Sequence, residues 1–206
     1  MRTLNVFVYG TLMSGFRANS FIPEGSKMLK GRIAGNLYHY AAGFPIVEIL
    51  KHSQSVRGTR NYSHDIDVQD SLNRNEPECL PFDLNYGRVH GELYMIPCED
   101  EETVLDTLDS YEGFTPESDY NLYNRTLVPV ETEEGIIWAW VYNMETIPNA
   151  TVQILSGNWR DCFYSNRGGL RPEVNRAIQK KTLLTADSDE YDFSVCHLNE
   201  KIKKLI

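Results

Sequence analysis

Two short stretches carry residue types that could do chemistry together. In Val8-Tyr9-Gly10-Thr11-Leu12 a glycine ends an apolar, strand-like run, and such a turn can expose consecutive backbone N–H groups that cradle a carboxylate or an oxyanion. In Leu108-Asp109-Ser110-Tyr111-Glu112-Gly113 a carboxylate lies just past the end of a predicted helix. The negative end of the helix dipole opposes a second negative charge there. So unfavourable a placement hints at function, although a single loop glutamate is most often a solvated charge. From Glu92 to Asp119 there are ten acidic residues and no lysine or arginine. Like charges and burial both raise a carboxyl's pKa. To serve as acid or base near neutrality, Glu112 must move from about 4.3 towards roughly 6 or 7. The competing description is an acidic, solvated helix face.

Other chemistries lack their parts. The chain has no GxxxxGK[ST] loop, GxSxG elbow, HExxH helix or GxGxxG turn, which removes the common nucleotide, serine-hydrolase and zinc-protease readings. His64, Asp65, Asp67, Asp70 and Glu76 are faintly like a calcium loop, but Asp70 stands where the sharp turn needs glycine. A solvated acidic loop is expected instead. Cys79, Cys98, Cys162 and Cys196 are dispersed, with no CxxC pair, so reduced thiols and no metal site are expected.

The chain has 206 residues, 41% hydrophobic and 24% charged, as expected of one generous folded domain. Its 20 basic and 29 acidic residues give a net charge of −9, which argues against nucleic acid as a partner. Apolar runs such as Asn5–Tyr9 and Ile136–Tyr142 fall far short of the roughly 20 residues that span a bilayer. The expected location is the cytoplasm, with no membrane partner.

The elements that must position the two stretches follow from the patterning. Strands are expected over Leu4–Val8, Met28–Tyr40 (long or broken around Gly31 and Gly35), Ile46–Leu50 and Arg88–Ile96. Val104, Leu105, Leu108 and Tyr111 at helical spacing predict a helix over Glu99–Tyr111. Asn121–Glu131 and Ile136–Met144 read as a hairpin closed at Gly135. A helical turn is expected at Ala150–Leu155, a helix at Pro172–Lys181 and a basic last turn at Lys201–Lys204. Lys51–Gly87 is polar and without clear period, and reads as an insertion.

Several blocks then line up in order: Val8-Tyr9-Gly10-Thr11-Leu12, Ala42-Gly43-Phe44-Pro45, Val89-His90-Gly91-Glu92-Leu93-Tyr94, Leu108-Asp109-Ser110-Tyr111-Glu112, Tyr123-Asn124-Arg125 and Ser156-Gly157-Asn158-Trp159-Arg160. Together they resemble the γ-glutamylcyclotransferase-like family. The resemblance implies an α+β fold, a small mixed β-barrel with short flanking helices. Here that domain, residues 1–164, is enlarged by the insertion at 51–87 and a partly helical C-terminal extension at 165–206.

The resemblance also implies a reaction. The α-amine of a γ-glutamyl compound attacks its own side-chain carbonyl, releasing 5-oxoproline and a free amine. The nucleophile belongs to the substrate, so no cofactor is implied. Glu112 would move the protons, and Tyr9, Gly10, Thr11, Leu12, Gly43 and Phe44 would bind the small-molecule substrate. Tyr123 is either a hydroxyl donor in the site or a packing tyrosine, and Arg125 is expected as an ion-pair partner. The acidic surroundings favour γ-glutamyl amines over glutathione. The insertion would be a lid, a surface for a protein partner, or a tolerated loop. The alternative function is a binding protein that uses the same cradle to sequester a small ligand.

Overall fold

The computed structural model describes residues 2–49, 56–75, 87–97, 101–163 and 169–186. Its strands are β1 (Thr3–Val8), β2 (Lys27–Tyr40), β3 (Pro45–Ile49), β4 (Val56–Arg57), β5 (Arg88–Pro97), β6 (Asn124–Thr132), β7 (Gly135–Asn143) and β8 (Thr151–Gln153). The helices are α1 (Tyr62–Arg74), α2 (Glu101–Glu112) and α3 (Pro172–Ala186).

Five strands close on themselves. β2 pairs antiparallel with β5, and β5 with β1. β1 meets β7 in parallel at Val6↔Trp140, β7 forms the hairpin with β6, and β6 returns to β2 at Gly31↔Thr132 and Arg32↔Glu131. The closed ring leaves these strands no free edge. It is a mixed barrel with short helices, an α+β fold. The second half of β2 runs beyond the ring and carries β3 and β8, and β4 adds to β6. Val6, Phe7, Leu93, Val130 and Trp140 are buried in the core, with Leu105 and Leu108 of α2 and Ile66 of α1 packed into the same cluster.

The parallel β1–β7 seam is the weak point of the ring, and α1 completes it. The Gln69 side chain accepts from the Asn5 amide at 2.9 Å and donates to the Thr3 carbonyl at 2.8 Å. Asn73 accepts from the Trp138 amide and donates to the Trp138 carbonyl. Side-chain amides thus take the place of ladder hydrogen bonds and leave fewer buried backbone groups unpaired.

Several expectations differ from this structure. The stretch 51–87 contains the helix α1, whose buried residues are Asp65, Ile66 and Gln69. Its inward face mixes the buried Asp65 and Gln69 with Tyr62, Ile66, Val68 and Leu72, which pack on the core, and the polar members interrupt the helical period of a hydrophobicity pattern. The acidic residues at 65, 67 and 70 therefore lie on a helix rather than in a solvated loop, and Asp65 is buried. Among the described residues no group of three or more His, Cys, Asp or Glu could hold a metal ion.

Residues Thr151–Gln153 form strand β8 instead of a helical turn, because they pair with Tyr38–Tyr40 at the outer end of β2. β2 is one continuous strand of 14 residues. α3 extends five residues further than expected. Cys162 is a free, buried thiol; Cys79, Cys98, Cys196 and Lys201–Lys204 lie outside the described residues. No helix among those described is long and apolar enough to cross a membrane.

Candidate active site

A cavity of about 250 Å³ opens where the end of β1, the β2–β3 turn, the last turn of α2 and the residues before β6 converge. Tyr9, Gly10, Thr11, Leu12, Gly43, Phe44, Glu112 and Tyr123 all line it. The structure therefore brings together every site residue expected from the sequence. It adds Pro45 and Tyr111, which stood in two of the quoted blocks without being read as site residues, and Tyr142.

One wall is the turn after β1. The Met13 amide donates to the Gly10 carbonyl at 3.0 Å, and the amides of Gly10, Thr11 and Leu12 have no hydrogen-bond partner among the described residues. Three donors are left for a ligand. Gly10 is required by close approach: a Cβ there would lie 2.4 Å from Pro45 Cγ. The turn is pinned from behind by Glu92, which accepts from the Ser14 amide and hydroxyl at 2.6 Å each, from the Tyr94 hydroxyl at 3.0 Å and from Arg160 at 2.9 Å. Arg160 also donates to the Ser14 carbonyl at 2.8 Å. Burial opposes the charge on Glu92, but these donors and Arg160 outweigh it and hold its carboxyl below the usual value.

The cavity is also lined by Glu112, the last residue of α2. The helix stops there because Gly113 adopts φ +67° and the Phe114 amide donates back to the Asp109 carbonyl at 2.8 Å. That is a Schellman-type ending, favoured by glycine in the left-handed region. Glu112 is half-buried, and its carboxylate has no hydrogen-bond or ion-pair partner among the described residues. Burial, with Asp109's negative charge added, pushes its pKa up to about 8.

Tyrosines surround that carboxyl. Tyr9 donates to the Tyr142 carbonyl at 2.7 Å, Tyr142 donates to Asp109 Oδ1 at 2.7 Å, and Tyr123 donates to the Pro45 carbonyl at 2.6 Å. The Tyr123 proton is thus committed to the β2–β3 turn. Burial raises the pKa of Tyr9, Tyr123 and Tyr142 well above the ordinary value, so all three stay neutral. Tyr111, on α2, shares a hydrogen bond of 3.1 Å with Thr11 and packs in a tilted contact on Phe21, ring centroids 4.7 Å apart.

Behind Glu112 lies a buried cluster whose parts were not read from the sequence as a unit. Arg125 Nε lies 3.0 Å from Asp109 Oδ1, and Arg125 Nη2 lies 2.9 Å from Asp65 Oδ2. Arg125 is an ion-pair partner, as expected, and it does not line the cavity. Burial pushes Asp109 up to about 6 against the pull of Arg125 and Tyr142.

Fold and site together define a class: a small closed barrel with an amide cradle facing a carboxyl of raised pKa. Residues 77–161 match the family model of γ-glutamyl cyclotransferase, AIG2-like. A comparison with curated proteins gave no match. Among solved structures the chain is similar to YkqA of Bacillus subtilis, at 23% identity and TM-score 0.44, covering 77% of this chain and 40% of that one. It is also similar to PH0828 of Pyrococcus horikoshii, at 16% identity and TM-score 0.43, covering 76% and 90%. An AIG2-like protein of Mus musculus aligns at 16% identity and TM-score 0.38, covering 72% and 82%. The chain thus spans less than half the length of YkqA.

Proposed function

We propose that the protein is a γ-glutamyl cyclotransferase that releases 5-oxoproline and a free amine. One observation carries this reading: a carboxyl with its pKa raised to about 8 lines the same cavity as three partnerless backbone amides. The substrate's α-amine attacks its γ-carbonyl carbon, the ring C–N bond forms, and the bond to the leaving nitrogen breaks. Glu112 takes one proton from the α-ammonium and returns it to the departing nitrogen, and the second proton lost as the ring nitrogen becomes an amide passes to the released amine, which leaves as an ammonium. The amides of Gly10, Thr11 and Leu12 hold the glutamyl group, and the walls keep the amine within reach of the carbonyl. Because the nucleophile is part of the substrate, the reaction needs no cofactor.

The cavity also bears on the leaving group. Among the described residues Glu112 is the sole charged one lining it, with no Lys, Arg or His. A leaving group with its own carboxylate would meet no cation there to offset its loss of hydration. The reading therefore favours γ-glutamyl amines over glutathione. The cytoplasm, where thiols such as buried Cys162 stay reduced, is the proposed location.

The test is mass spectrometry for 5-oxoproline after incubation with a panel of γ-glutamyl compounds, with Glu112→Gln as control. Release from a γ-glutamyl amine that is lost in the variant is the expected result. No release from any compound, with tight binding retained, would make the protein a binder of γ-glutamyl ligands instead.

A further inference from the structure

We propose that Asp65, supplied by helix α1 of the insertion, is a positioning residue for Glu112. It balances Arg125, so that a surplus negative charge is left beside the proton-transfer group. The inference rests on the reaction proposed above for Glu112, and it starts from an inventory of charge. The titratable groups that face Glu112 are Asp109 and Tyr111 from α2, Tyr9 from the end of β1, Tyr123 from the turn before β6 and Tyr142 from β7. The four tyrosines are neutral, because burial raises all of them. Asp109 is the one charged neighbour among the described residues, and what it delivers depends on what neutralises it.

Arg125 lies within an ion-pair distance of both Asp109 and Asp65, and all three side chains are 5% exposed or less. Two carboxylates share one guanidinium, so the cluster carries a net charge of −1 once Asp109 is ionised. Asp65 is built for this place: Thr59 donates to it through its amide and its hydroxyl, each at 2.8 Å. The Arg125 guanidinium is confined by Gly58, where a Cβ would lie 2.7 Å away, and by the Trp140 ring at 4.9 Å. Without Asp65, Arg125 would belong to Asp109 alone and the pair would be neutral. A buried unit charge on the order of 10 Å away, at an effective dielectric constant of about 20, moves a carboxyl's midpoint by about one pH unit. The sign is fixed, since removing an anion makes Glu112 easier to ionise. The insertion thereby acts on the active site without lining it.

The test follows the carboxyl directly. With glutamate labelled with carbon-13 at the side-chain carboxyl, the Glu112 resonance is assigned by its loss in Glu112→Gln and titrated by NMR. The proposal expects the midpoint to fall by about one pH unit in Asp65→Asn, and to lie lower in the Asp65→Asn/Arg125→Met double variant than in Arg125→Met alone, whether or not Asp109 takes up a proton once its guanidinium is gone. A purely structural role would not make the midpoint follow the loss of the Asp65 charge in both backgrounds. A folded Asp65→Asn variant with an unchanged midpoint overturns the proposal. If that variant does not fold, the double variant must still titrate below Arg125→Met alone, and equal midpoints overturn it. The titration needs no turnover, so its failure is separate from a failure to find 5-oxoproline release.

Discussion

Glu92 and Glu112 come from two of the sequence blocks and flank the same turn and cavity, yet their surroundings drive them in opposite directions. Glu92 accepts hydrogen bonds from Ser14, Tyr94 and Arg160, and its carboxyl is held below the usual value. Glu112 has no partner among the described residues and an acidic neighbour, and its pKa is raised to about 8. The difference teaches that burial alone does not decide a carboxyl's role; the donors around it do. A saturated carboxylate holds a turn in place, and an unsatisfied one is available for proton transfer.

The largest expected effect comes from Glu112→Gln. It should lower kcat for 5-oxoproline release by about 10²–10⁴-fold while leaving the barrel intact. It should also raise stability at pH 8. A carboxyl whose folded pKa lies above its unfolded value costs stability as pH rises from about 4.3 through the folded pKa of about 8. The gain should be about 1–3 kcal/mol, discounted because water reaches the carboxyl through the cavity. Thermal melts across pH 5 to 9, read as rough bounds on that window, check it. A variant less stable than wild type at every pH would break the contrast.

Glu92→Gln should behave in the opposite way. It leaves Arg160 without its carboxylate, and stability should fall by about 2–4 kcal/mol in urea unfolding at neutral pH. For this group the folded pKa is depressed, so its contribution is present above the unfolded value and is lost as pH falls through the folded one. KM should rise because the amide cradle loses its anchor. A variant of unchanged stability and KM would mean that the network around Ser14 does not hold the turn.

Gly10→Ala comes next. Its Cβ would meet Pro45 at 2.4 Å, so the turn and the β2–β3 loop must separate, at about 1–3 kcal/mol. KM should rise more than kcat falls in steady-state kinetics. The smallest effect belongs to Tyr123→Phe, which removes one hydrogen bond to the Pro45 carbonyl and should cost about 1 kcal/mol in urea unfolding. If kcat fell a hundredfold with KM unchanged, Tyr123 would be a proton donor in the reaction, not a support for the turn.

The barrel strands, α2 and the cavity walls were legible because they combine strong alternation or helical spacing with short recognisable blocks. What was not legible depends on polar contacts distant in sequence. Helix α1 presents Asp65, Gln69 and Asn73 inward, to Arg125, the β1 backbone and Trp138, and these interrupt the apolar set of Tyr62, Ile66, Val68 and Leu72 that packs on the core. β8 exists only because β2 overruns the ring and offers an edge. Glu92 and Arg160 each stood in a quoted block, but that they meet at Ser14, from positions 68 residues apart, is a property of the fold. Asp109 belonged to the same block as Glu112. Its importance depends on Arg125 and on burial, neither of which spacing reveals.

The central claim is that Glu112 transfers the protons from a raised pKa. The most direct measurement is the pH dependence of kcat/KM for 5-oxoproline release from a γ-glutamyl amine, taken alongside Glu112→Gln. The account predicts that kcat/KM rises with pH as Glu112 loses its proton, with a midpoint near 8. The midpoint of kcat should lie lower, because the bound α-ammonium favours the carboxylate, and the residual activity of the variant should lack that limb. A profile flat through that range, or release undiminished in Glu112→Gln, would contradict it.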